Sequence, residues 1–407
     1  MIAVAEARAR ILAALSPLAA ETVPIGAASG RCLHEDLRAE RSHPAADISA
    51  MDGYAVRSAD VMNVPAALTI IGEAQAGTRF SGRMAHGEAV RILTGGIVPD
   101  DADTIIIQEN VTRDGIRIEV REPGVPGKHI RRAGMDFAKG EVLARRGEYL
   151  TPATLALIAA GNIAAVAVSR RPRVAILATG DEIVLPGSAR DETHMVGSSG
   201  FALSELIRAA GGEAIDLGIV RDDVAAIRTQ VLAAPPFDLL VTLGGASVGD
   251  HDLVKPALEG LGFRADFWKI AMRPGKPLSF GRLGESKAHV LGVPGNPVSA
   301  YVCAVLFLQP ALRALQGALR SEPVALKARL ATALKANDAR EDFLRGIVVQ
   351  AADGILAATP HSLQDSSALM PLARSNALII RPPHAPAAAA GAMVDVHLIG
   401  RVHPQGG

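Results

Sequence analysis

Residues 238–255 read DLLVTLGGASVGDHDLVK, an apolar run that meets two glycines and is followed within a few positions by acidic side chains. The β-branched and leucine residues from Leu239 to Leu243 have the composition of a strand buried on both faces, and Gly244 and Gly245 remove side chains where it ends. Ligands collect at such carboxyl ends in open α/β sheets. Asp250 and Asp252 then place carboxylates at the mouth of the crevice, and Lys255 follows on the helix expected next. Taken alone, the segment is also readable as a polar turn between strand and helix.

Two further segments repeat the pattern. Arg173 to Ala178 is a second buried-strand sequence, which stops at Thr179-Gly180-Asp181-Glu182, and His289 to Val293 is a third, which stops at Pro294-Gly295-Asn296-Pro297-Val298-Ser299. Asn296 suits a helix N-cap, Pro297 suits the first helical position, and the apolar stretch Val298 to Leu308 continues the helix. Free N–H groups at a helix start attract anions. Three strand ends rich in small, polar and acidic residues therefore predict a phosphate-bearing ligand and a hard cation.

Outward from these strands, the region from Arg173 to about Gly317 alternates strands and helices, which predicts a three-layer α/β domain with a largely parallel sheet. Helices are expected near Ser199 to Ala210, Asp222 to Ala233, Leu253 to Leu261 and Pro297 to Leu315, with strands at Ala214 to Val220 and Phe263 to Ile270. From Asp47 to about Lys139 short β-type runs separated by turns predict a β-rich inserted domain. After Glu322-Pro323 short strands return, as a small β-barrel or sandwich requires, and the alanine-rich Ala385 to Ala392 reads as a flexible surface loop.

A chain of 407 residues exceeds one core, so several domains are expected. Its 42 basic and 42 acidic residues balance, without the basic excess that a nucleic-acid coat needs to displace counterions. Aromatics at 3% leave little for base stacking. Cys32 and Cys303, far apart and without a CxxC partner, read as small buried hydrophobes in a reducing compartment. Glu6, Arg8 and Arg10 interrupt any signal-peptide core. Leu150 to Ser169 carries no charge over a bilayer-spanning length, but Thr151-Pro152 starts a helix, Gly161-Asn162 stops it, and Ile163 to Val168 alternates as a strand. The chain is expected to be soluble and cytoplasmic, with no membrane partner.

Several ordered motifs then carry a resemblance: Ser49 to Ala55 (SAMDGYA), Arg91 to Gly96 (RILTGG) with Ala102-Asp103-Thr104 and Gln108-Glu109, Thr179 to Gly187 (TGDEIVLPG), Gly244 to Lys255, Arg273 to Pro277 (RPGKP) and Pro294 to Ser299. Together they span almost the whole chain, which resembles the molybdopterin molybdenumtransferases, the family of bacterial MoeA and the gephyrin E domain. That resemblance implies insertion of molybdate into adenylylated molybdopterin with Mg²⁺-dependent release of AMP, on a homodimer of four-domain subunits. The domains would be an elongated linking domain (residues 1–45 and 138–170), the β-rich insertion (46–137), the α/β domain (171–317) and a C-terminal β-barrel (318–404).

By the same resemblance, Glu182, Asp222, Asp250 and Asp252 would hold the metal, with Glu182, Asp222 and Asp252 acting in catalysis. Read by itself, Asp222 is a helix cap beside Asp223. Molybdate, a dianion, needs cations and N–H donors, for which Arg273, Lys276 and Arg345 are candidates with Ser366 or Ser367. Arg345 lies in a charged run that by itself reads as an exposed turn. Lys269, following Trp268 in the same expected strand, is a candidate phosphate contact, and Gly244, Gly245, Ser247, Lys255, Pro294, Gly295, Asn296 and Ser299 would line the substrate site. Asp52, Thr94 and Asp136 would complete that site across the dimer interface, although Asp52-Gly53 alone is a good turn.

The chain also departs from its family. Arg273 stands where lysine is common, Val196-Gly197-Ser198-Ser199 replaces a frequent Asp-Ser-Asn, and Gly96 replaces a frequent alanine, loosening the backbone. Two other functions stay open at this point. One is a molybdopterin adenylyltransferase, which shares the α/β domain and in the family scheme supplies the substrate; the other is a non-catalytic gephyrin-like scaffold.

Overall fold

The computed structural model describes residues 1–188, 191–245, 253–284 and 288–404. They form two compact units: residues 22–29 with 35–167, and residues 1–21, 30–34 and 168 onward.

In the first of these a six-stranded sheet runs in the order Thr104–Ile107, Gly53–Val56, Glu88–Ile92, Ala66–Ala74, Arg117–Val120, Val111–Asp114. Period-two alternation gives it two apolar faces: Tyr54, Val56 and Ile106 enter one cluster, Ala55 and Ile105 the other. Gly53 begins a strand and is no turn residue, because a Cβ there would lie 2.1 Å from the Ile106 carbonyl oxygen. Gly96 is likewise packed, not loosened: a Cβ would meet the Ala74 carbonyl oxygen at 2.7 Å. The uncharged stretch splits as expected into helix Pro152–Ala160, whose Thr151 side chain caps the Thr154 N–H, and strand Ala165–Ser169.

In the other unit a six-stranded sheet has the order Glu213–Val220, Arg173–Thr179, Leu239–Leu243, His289–Val293, Ser279–Leu283, Phe263–Phe267. The first four strands are parallel, and Ser279–Leu283 runs antiparallel to both of its neighbours. Every residue of Leu239–Leu243 is buried, because apolar clusters cover both faces of the sheet. The strand from Phe263 ends at Phe267, so Lys269 lies beyond it. Pro297–Leu315 is long and apolar enough by composition to cross a membrane, yet its residues are mostly buried inside this core.

Five strands, Glu341–Gln350, Leu356–Pro360, Leu326–Leu330, Met393–Leu398 and Ala377–Arg381, close into a barrel when the last pairs back onto the first. Leu344 and Val348 point into the barrel core, whereas Phe343 packs outward into the α/β core. Arg345 therefore occupies the outward face of a long strand and is only 1% exposed; the charged run is no turn. The alanine-rich segment is a loop, but a pinned one: Ala388 pairs with Leu334 in both directions.

Candidate active site

The strand order reverses beside Arg173–Thr179: the chain adds Glu213–Val220 on one side and Leu239–Leu243 on the other. A switch point of this kind leaves a crevice at the carboxyl ends of the strands. There the structure opens a cavity of about 870 Å³ whose lining includes Glu182, Asp222, Gly244, Gly245, Asn296 and Ser367. Pro294 and Gly295 line it as well. Residues from all three sequence-predicted strand ends thus meet in one space.

Local chemistry explains the shape. Gly244 and Gly245 both have positive φ, +89° and +61°, which lets the backbone turn directly off the strand without a Cβ penalty. Two helices begin at the cavity wall. Ser198 stands at the N-cap of Ser199–Ala209 and Asn296 at that of the Pro297 helix, and neither side chain caps its helix. Asn296 instead donates its amide to the Ser366 hydroxyl at 3.1 Å, and the Val298 N–H goes to the Ser366 carbonyl at 3.2 Å. The first turn of Ser199–Ala209 keeps uncapped N–H groups, the usual receptor for phosphate oxygens.

The two adjacent aspartates divide their work. Asp223, not Asp222, caps the Val224–Ala233 helix, accepting the Ala226 N–H at 2.7 Å. Asp222 faces the cavity, where partial desolvation and the nearby Asp181 and Glu182 carboxylates raise its pKa, although a hydrogen bond from the Asp181 backbone pulls the other way. Among the described residues no group of three His, Cys, Asp or Glu side chains could hold a metal. Glu182 and Asp222 nonetheless fit half of a hard-cation site, since their mutual repulsion is what a dication relieves. Ser247, Asp250 and Asp252 lie outside the described residues.

The other predicted residues lie away from the cavity lining. Lys255 stacks its ammonium 4.9 Å from the Trp268 ring centroid. Lys269 is half-buried and its carbonyl accepts the Ile2 N–H; Ser299 is buried in its helix. Lys276 is exposed, next to Pro277, which does line the cavity. Arg273 is bound to Asp338, Asn337 and Asp342. Arg345 donates to the Asp365 carbonyl at 2.9 Å while its buried Nε finds no partner, and burial lowers its pKa. His361 is a neighbour that the sequence did not single out: its buried Nε2 is unpartnered, and burial together with the Arg345 and Arg374 charges lowers its pKa.

In the other unit the Asp52 carboxylate accepts both the N–H and the hydroxyl of Thr94, each at 2.7 Å, and these bonds lower its pKa. Asp136 is exposed in the turn after Gly134, and its N–H goes to the His43 carbonyl. Met195, Leu369 and Asp342 were not singled out in the sequence, and Asp181 and Ile183 entered only as members of the 179–187 motif. Each acquires its role only through neighbours remote along the chain.

Three regions match known families: residues 2–161 the MoeA N-terminal region (domain I and II), 175–314 the "Probable molybdopterin binding domain", and 327–399 the MoeA C-terminal region (domain IV). The chain is 36% identical to the molybdopterin molybdenumtransferase of Haemophilus influenzae, over 98% of this chain and 100% of that one. It is 35% identical to that of a Nostoc species, over 89% and 85%. A solved molybdopterin biosynthesis moeA protein from Pyrococcus horikoshii OT3 superposes with a TM-score of 0.83 at 30% identity, covering 98% of this chain and all of that one. With 98% of its length matched in sequence and in fold, the chain belongs to the molybdopterin molybdenumtransferase family.

Proposed function

We propose that the chain inserts molybdate into adenylylated molybdopterin and releases AMP, a step of molybdenum cofactor biosynthesis in the cytoplasm. The observation that carries this reading is the switch-point crevice, where glycine turns and an uncapped helix start share one cavity with Glu182 and Asp222. The glycines at 244 and 245 admit phosphate oxygens to the backbone, and the N–H groups at the start of Ser199–Ala209 bind them. Ser198 and Ser199 add hydroxyls in place of the family's amide and carboxylate. Ile183, Met195, Leu253 and Leu369 supply flat apolar wall for a ring system and exclude water from its faces.

Glu182 and Asp222, with Asp250 and Asp252, would hold Mg²⁺, which supplies neutralisation of phosphate charge during cleavage. Lys276 and the buried Arg345 supply positive charge for the oxyanion, Arg345 with the fixed fork that suits tetrahedral oxyanions. In this reading two copies of the chain share each site, Asp52, Thr94 and Asp136 of one serving the crevice of the other. The four-domain division at residues 46, 138, 171 and 318 belongs to the same proposal.

The test is AMP release from adenylylated molybdopterin, with and without molybdate and Mg²⁺. Release that requires both supports the reading. Adenylylation of molybdopterin from ATP, with no molybdate requirement, would make the chain an adenylyltransferase instead.

A further inference from the structure

Arg273 is the cation that fits the oxyanion site least well, and the reason lies in its surroundings. Its guanidinium donates to Asp338 at 3.0 Å, to Asn337 at 3.2 Å and to Asp342. Asp342 is only 5% exposed, and its second oxygen is buried without a partner. Removing Arg273 would leave that carboxylate charged and unpaired, which buried acids tolerate poorly. Asp338 is shared with Arg340 at 3.1 Å, so two arginines and two carboxylates balance and leave no surplus positive charge for a dianion. Lys276 has no ion-pair partner among the described residues.

The backbone shows what Arg273 does instead. Met272–Arg273 pairs with Glu341–Asp342 of the barrel, with Arg273 opposite Asp342. The chain then turns through Gly275, at φ +112°, and the Lys276 carbonyl accepts the Ile270 and Leu278 N–H groups at 3.2 and 3.1 Å. One end of this turn is therefore tied by the arginine fork to the barrel, and the other reaches the cavity at Pro277. A fork that bridges three acceptors can make that tie; a single ammonium offers no fixed fork geometry for it.

We propose that Arg273 is a positioning residue, clamped by Asp342, Asp338 and Asn337, that holds the 274–277 turn so that Lys276 meets the oxyanion. The inference rests on the reading of this region as a molybdate site. It removes Arg273 from the molybdate ligands and makes two acidic residues of the barrel contributors to anion capture.

Equilibrium dialysis of molybdate against the full-length protein tests it, with thermal unfolding and AMP binding measured on each variant. Asp342→Asn decides between the roles, because it keeps the Arg273 charge and removes the buried ion pair that anchors the clamp. We expect Asp342→Asn, Arg273→Gln and Arg273→Lys each to weaken molybdate binding about tenfold, as loss of an outer-shell orienting contact does. AMP affinity stays at the wild-type level in all three, which a general loss of structure would not permit. If Asp342→Asn does not fold, the exposed Asp338→Asn must show the same selective loss. Molybdate binding unchanged or tighter in the folded aspartate variant, with loss in Arg273→Gln, would make Arg273 a direct ligand and overturn the proposal. Parallel loss of molybdate and AMP affinity would overturn it too, by showing a merely structural role. Wild-type molybdate binding in both Lys276→Gln and Arg345→Gln would instead sink the molybdate-site reading itself, whatever Arg273 does.

Discussion

Asp222 and Asp223 are chemically identical neighbours with opposite duties, and the difference can be measured. Asp223 enters its helix with extended backbone (φ −142°, ψ 127°), the geometry that brings its carboxylate to the Ala226 N–H. Asp223→Ala should therefore lower stability by about 1 kcal/mol, as loss of a cap does, in chemical denaturation. Asp222→Asn should behave otherwise. The folded-state pKa of Asp222 is raised above its ordinary 3.8, so its ionisation opposes folding. That penalty is absent below pH 3.8, develops as pH rises toward the raised value, and persists at neutrality. Melting curves of the metal-free protein should show Asp222→Asn more stable than wild type at pH 7 and equal to it at pH 3, with a smaller Mg²⁺-induced rise in Tm. Equal Mg²⁺ responses would remove Asp222 from the metal site. Which of the two aspartates caps the helix was not legible in sequence, because one residue's shift of the helix start exchanges their roles. Arg345 was hidden for a related reason: its burial depends on the barrel's outer face packing against another layer.

At the scale of elements, much was legible. The β-branched runs ending in glycine or proline gave away the parallel strands and their shared end, because a strand covered on both faces must be apolar throughout. Thr151-Pro152 and Gly161-Asn162 marked the short helix at both ends. Close backbone approach left no such mark. Gly53 reads as a turn glycine beside Asp52, whereas it is a strand residue pressed against Ile106. Gly53→Ala should cost roughly 1–3 kcal/mol through overpacking, or displace the Asp52 carboxylate from Thr94. Chemical denaturation reads the first effect. A Gly53→Ala protein as stable as wild type would show that the sheet shifts freely there.

On the scale of the whole molecule, the extra unit and the barrel distinguish this chain from a lone α/β domain. If each site draws Asp52 from one copy and Asp222 from another, heterodimers of Asp52→Ala and Asp222→Ala subunits contain one intact site. Such mixtures should recover activity where neither variant alone has any. No recovery in confirmed heterodimers would place every site within one chain. The most direct measurement is AMP release from adenylylated molybdopterin by the purified protein. Release that depends on molybdate and Mg²⁺, and that falls at least tenfold in Glu182→Gln and Asp222→Asn, is the predicted result. Release at the wild-type rate in both variants would contradict the assignment of the crevice as the place of reaction.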